Sequence, residues 1–148
     1  MNASDTKEYL TCKAGPSCIA IAICSVLEVF QTRSITRVPG CPRFIIGMTN
    51  VRGTAVPVVD LYNAFNRDEH VRSVVILTTS EGPVGLLINT LYDIARLDPS
   101  GTPSEDFRAE SNENGYDFTK MNPFEIIDAD AVIRSTIPHS RIRKETAA

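Results

Sequence analysis

The side chains able to do chemistry fall into three sets: cysteines at 12, 18, 24 and 41, histidines at 70 and 139, and the acidic cluster Glu105, Asp106, Glu110 and Glu113. Four thiols raise the question of zinc. Zinc ligands usually come as close C-x₂₋₄-C pairs, and none is present here. Disulfides do not suit a reducing compartment. The expected role of the thiols is to fill core gaps as small apolar groups, and the even spacing of Cys12, Cys18 and Cys24 puts them on similar strand faces. Cys41, between Gly40 and Pro42, is the one candidate for a reactive thiol, but neither histidine is placed to activate it. His70 and His139 sit in polar, loop-like surroundings and read as solvated surface residues. The acidic cluster lies in a segment without apolar periodicity, which is poor ground for a positioned carboxylate pair. There is no Gly-rich phosphate loop, no G-x-S-x-G turn and no H-E-x-x-H helix. The chain is expected not to be an enzyme, and neither a metal site nor a cofactor is expected.

Binding chemistry is better represented. Asn50–Leu61, NVRGTAVPVVDL, reads as strand, tight turn, strand and helix start. Gly53 supplies the permissive backbone of a two-residue turn, which leaves Arg52 projecting from its tip. Val56, Val58 and Val59 suit a pleated strand. Pro57 removes a backbone donor, so that strand is expected at an edge or with a bulge. Asp60 stands where a helix N-cap would, ahead of Leu61, Tyr62 and Phe65. An exposed guanidinium on a rigid hairpin suits docking to carboxylates or carbonyls; the plain alternative is a solvated turn residue.

The elements around this hairpin are short strands. Glu8–Lys13 and Cys18–Cys24 form a hairpin through Ala14-Gly15-Pro16-Ser17. Ile19, Ile21 and Ile23 alternate with Ala20 and Ala22, as in a strand packed on both sides. Ser25–Gln31 continues extended, Thr32–Pro42 is a loop, and Phe44–Met48 enters the Arg52 hairpin. Asn63–Arg72 reads as a helix end plus loop. Val71–Thr78, Val84–Asn89 and Leu91–Leu97 are further strands, Phe124–Ile127 a last one, and Asp128–Arg134 a short helix or turn. Residues 98–117 read as a flexible polar loop and 135–148 as a frayed tail. Many short strands with Gly/Pro turns argue for an all-β barrel or sandwich.

Composition limits the partners. Fifteen Lys and Arg against 18 Asp and Glu give a formal charge of −3, with no reason to expect nucleic acid. The longest apolar run, Cys18–Cys24, is far short of the ~20 residues needed to cross a bilayer. Met1–Thr6 lacks the features of a signal peptide, so a cytoplasmic location is expected.

Ile45–Leu61 (IIGMTNVRGTAVPVVDL) resembles the signature of the CheW-like family, the coupling proteins of bacterial chemosensory systems. Tyr9–Phe30 is similar to the family's opening hairpin and its V-x-E-V/I segment, here Val26-Leu27-Glu28-Val29. Ile35–Pro42 matches the lead-in, and Val74–Leu97 the next hairpin, with its V-G-L/I step at Val84-Gly85-Leu86. The likeness covers roughly residues 8–97. It implies a CheW-like domain over 8–134, made of two intertwined SH3-like five-stranded β-barrels with short helices and a hydrophobic cleft between them; beyond Leu97 the polar stretch Asp98–Asp117 departs from the family's pattern, so the second barrel is expected to be incomplete or irregular. It also implies an adaptor coupling chemoreceptors to a CheA-type histidine kinase at receptor arrays on the inner face of the membrane. The partners would be the kinase's regulatory domain and the chemoreceptor's cytoplasmic tip. Two alternatives stand beside it: a divergent scaffold for another output, such as twitching motility or gene regulation, and a small thiol-based enzyme.

By this resemblance Arg52 is a partner-binding residue. Val26 and Glu28 match the V-x-E segment near receptor and kinase contacts. Residues two apart in a pleated strand share a face, so a charged Glu28 argues for an exposed Val26; the alternative is a core valine. Asn50 reads first as a turn-satisfying amide and second as a contact. Ile88 and Leu91 are candidate receptor contacts near the cleft, with core packing as the alternative. Asn89 departs from the family, which commonly has an acid there.

Overall fold

The computed structural model describes residues 6–40, 44–103 and 123–136. Among the described residues, nine strands and one short α-helix follow in order: β1 Lys7–Ala14, β2 Ser17–Ala22, β3 Val26–Thr32, β4 Ile45–Val51, β5 Thr54–Val59, β6 Arg72–Thr79, β7 Gly82–Ile88, β8 Thr90–Leu97, β9 Glu125–Ile127 and α1 Ala129–Thr136. They form an all-β molecule of two sheets. One has the order β8-β1-β2-β9 and the other β3-β6-β7-β5-β4. The five-stranded sheet is built from one continuous stretch of chain. The other takes its strands from both sides of that stretch, so the two halves are intertwined. Among the described residues this second sheet has four strands.

The core lies between the sheets. Leu10, Cys12, Ile19 and Ile21 from one sheet pack with Val56, Val58, Val74, Leu86 and Ile88 from the other, and Val132 of α1 joins them. The alternation in β2 works as expected. Ile19 and Ile21 face this core, while Ala20 faces a second, smaller cluster with Tyr9, Leu97 and Phe124. Cys12 belongs to the main core, but Cys18 packs against the second cluster and Cys24 is exposed in a 3-10 turn at Ile23–Ser25. The expected common face for the three thiols is therefore wrong. β1 and β2 pair antiparallel with Cys12 opposite Ile19 and Cys18 opposite Lys13, so the two cysteines point to opposite sides.

Two more expectations fail for local reasons. No helix follows Asp60. Its two carboxylate oxygens accept the N–H groups of Ala64 (2.8 Å) and Phe65 (3.0 Å), closing a wide loop instead. Asn63 in that loop has φ +57°, a left-handed conformation that cannot propagate a helix. The loop then packs on the β1–β2 turn so closely that a Cβ on Gly15 would lie 1.7 Å from the carbonyl oxygen of Tyr62. β5 is not an edge strand either, since it lies between β7 and β4; the irregularity expected as the alternative falls on the partner strand, at Ile46 of β4. Pro57 is tolerated because pairing to β7 begins only at Val58 and Val59, leaving Pro57 without a ladder partner on that side.

The segment starting at Asp98 begins as a built turn. Asp98 is buried, and its Oδ1 accepts bonds from the Ser100 N–H (2.9 Å), the Ser100 hydroxyl and the Thr102 N–H (3.1 Å). Residues 98–103 of the polar segment thus form a hydrogen-bonded turn. Residues 104–117 and the tail beyond 136 lie outside the described residues, as do Cys41, His139 and the acidic cluster.

Candidate functional site

The β4–β5 hairpin presents Arg52 as expected. Val51 pairs with Thr54, leaving a two-residue loop of Arg52 and Gly53 with φ +52° and +85°. Positive φ at both positions marks the type I′ turn, which normally takes Asn-Gly or Asp-Gly. Asn50 supports it by accepting the Gly53 N–H at 2.8 Å, which is the structural role expected of that amide. A non-glycine, long side chain in the left-handed region is an outlier that points to function. The Arg52 side chain is 80% exposed, and its guanidinium donates to the Glu28 carboxylate of β3.

That contact spans the two edges of the five-stranded sheet. Four residues further along β3, the Thr32 and Thr49 hydroxyls meet at 3.1 Å, buried, and both reach the Ser34 carbonyl. The edge strands β3 and β4 are thus drawn together by side chains, with Glu28–Arg52 at one end and Thr32–Thr49 at the other.

Burial alternates without a break along β3: Val26, Glu28 and Phe30 are half-buried, while Leu27, Val29 and Gln31 are exposed. Val26 and Phe30 pack against the core. The face that the charge of Glu28 marks as exposed is therefore the inward one. Leu27, 59% exposed, and Val29, 37%, are the exposed apolar residues of this strand, which a reading from Glu28 missed. The β3–β6 register shifts between Val26 and Glu28 without reversing this pattern.

Ile88 is buried at 2% exposure and serves the core, so it is not available to a partner; Leu91 on β8 is exposed. A groove of about 740 Å³ does open between the sheets, lined by Pro16 on the β1–β2 turn, Phe44 and Ile46 on the β4 side, and Leu61 and Tyr62 of the following loop. Neither Ile88 nor Leu91 lines it. Tyr62 is held in its neutral form, its hydroxyl pushed up to about 12 by burial and by the adjacent Glu125 carboxylate. His70 is exposed, and no group of metal-ligating side chains occurs among the described residues.

The CheW-like domain model matches residues 8–136. The chain belongs to the CheW-like family. It is 31% identical over 96 residues to the chemotaxis protein CheW of Klebsiella aerogenes, covering 62% of this chain and 57% of that protein. With the chemotaxis protein CheW of Bacillus subtilis it shares 27% over 122 residues, 77% of this chain and 78% of the other. Among solved structures, the scaffolding protein TtCheW from Thermoanaerobacter tengcongensis superposes with a TM-score of 0.56 at 25% identity, covering 68% of this chain and 72% of that one. The strand-rich, two-sheet architecture is therefore that of a CheW-like scaffold. Within this family frame Asn89 is informative. Its Oδ1 accepts the Gly15 N–H (2.6 Å) and its Nδ2 donates to the Ala64 carbonyl (2.8 Å), tying the β1–β2 turn to the loop after β5. An ionised acid at this position would make the first bond but not the second.

Proposed function

We propose that this chain is a non-catalytic, cytoplasmic adaptor that couples chemoreceptors to a CheA-type histidine kinase. The hairpin face with Arg52, Glu28 and Asn50 docks the kinase's regulatory domain. Leu27 and Val29 beside it supply the apolar anchor that a small interface needs around its charged contacts. The groove between the sheets receives the chemoreceptor's cytoplasmic tip, with Val26 and Leu91 as outlying contacts. The observation that carries this reading is Arg52 itself: a left-handed arginine, mostly solvent-exposed, on a hairpin braced by Asn50 and Glu28. No described helix is long and apolar enough to cross a membrane, which agrees with recruitment to receptors rather than insertion beside them.

Calorimetric titration of the chain with a purified CheA-type regulatory domain tests this. Saturable micromolar binding that weakens in Arg52→Ala, with unfolding unchanged, is the expected result. An exposed ion pair is worth only about 0–1 kcal/mol to stability, so the variant should fold normally. Equal binding by wild type and Arg52→Ala would remove Arg52 from the interface. No binding by the folded wild type would reject kinase coupling through that domain.

A further inference from the structure

A second groove, of about 540 Å³, opens at the end of β5 remote from Arg52. Its walls are the end of β1, the loop after Asp60 and the start of β8. Lys13 and Arg67 stand on opposite elements of it, both exposed, and neither forms an ion pair with another described residue. Its lining contains no carboxylate. Asn89 lines it as well, its neutral amide fixed by Gly15 and Ala64. On the rim, Phe65 is 45% exposed, with the Arg72 guanidinium stacked 4.5 Å from its centroid.

Lys13 and Arg67 are the charged side chains of the groove's lining, while the Asp60 carboxylate lies behind it on the Ala64 and Phe65 N–H groups. An acid at position 89 would cancel half of its formal charge, and Asn89 does not. Two cations about a concave surface attract and orient an anionic partner. The site is too small for the many phosphate contacts that nucleic-acid binding relies on. The Asn63 amide and the Thr90 hydroxyl also line it and can meet the polar backbone of a peptide, while Phe65 offers an apolar contact.

We propose that this groove docks an acidic peptide segment of a partner protein, its carboxylates on Lys13 and Arg67 and an apolar side chain against Phe65. The surface is separate from the Arg52 hairpin and does not depend on the role given to it. The test uses the full-length, ¹⁵N-labelled chain titrated with a blocked nonapeptide of Glu-Glu-Leu repeats. Saturable shifts are expected at Lys13, Phe65, Arg67, Asn89 and Thr90, retained in Arg52→Ala and lost in the Lys13→Glu/Arg67→Glu double variant. Should charge reversal disturb the fold, the Lys13→Gln/Arg67→Gln pair replaces it with the same expectation. Absence of saturable shifts in the groove overturns the proposal, and so does their survival in a folded charge variant. Equal shifts with inorganic phosphate would show a general anion site, and equal shifts with a Lys-Lys-Leu peptide an unspecific apolar one. Either outcome also overturns it.

Discussion

Arg52 occupies a backbone region that costs most L-residues about 1–2 kcal/mol, and the hairpin holds it there through its neighbours. Thr11 shows the same principle inside the molecule. The β1–β8 ladder slips between Leu10 and Cys12, and the fully buried Thr11 hydroxyl fills the gap. It donates to the Asp93 carbonyl at 2.6 Å and accepts the Asp93 N–H at 3.2 Å. Thr11→Val removes both bonds without changing shape and should cost about 1–3 kcal/mol in urea unfolding. Cys12, next to it, has its thiol pushed up from 9.0 to about 12 by burial. It should stay inert to a thiol reagent at pH 8 while the exposed Cys24 reacts. Between pH 9 and 12 an unfolded Cys12 ionises and the folded one does not. Its contribution to stability, full below pH 9, should therefore fall across that window.

Register shifts interrupt both edge strands of the five-stranded sheet. One falls at Leu27 of β3 and the other at Ile46 of β4, which lines the groove between the sheets. Both lie beside the surfaces proposed to meet partners, where such irregularities are common. The turn after β8 is a different device. The Asp98 carboxyl is held below the usual carboxylate range, first by the Ser100 hydroxyl and then by the Thr102 N–H. A lowered folded pKa means stability that is present above 3.8 and lost as the pH falls through the folded value. Acid titration followed by circular dichroism should show wild type losing this advantage over Asp98→Asn below pH 3.8, with the two curves converging at the acid end.

At the scale of the molecule, one core joins the two sheets, and α1 is tied to the β6–β7 turn by the Ser80 N–H bonded to Asp130 at 2.9 Å. Two intertwined halves sharing a core should not melt separately. Far-ultraviolet circular dichroism and tyrosine fluorescence are expected to report one coincident urea transition. Two separated transitions would show that the halves fold independently. A shared rigid core also suits an adaptor, because the Arg52 hairpin and the inter-sheet groove are then held in fixed relation.

Local chemistry is enough to read much of this protein from its residues. Gly53 after Arg52, the alternation of Ile and Ala in β2, and the Gly/Pro turns each act within a few neighbours, so the hairpin, the strands and the all-β class are legible without coordinates. The same locality sets the limit. Asp60 looks like a helix cap because capping is judged from the next few residues, but the bond from Asn89 to Ala64 and the close approach of Tyr62 to Gly15 are contacts between distant segments. Which face of β3 turns inward, and the burial of Ile88, likewise depend on what distant segments pack against them. Turn and strand propensities are short-range energies written in the order of residues. Register, bulges and the gathering of Lys13, Arg67 and Asn89 about one groove arise only when distant segments are brought together by burying a common core.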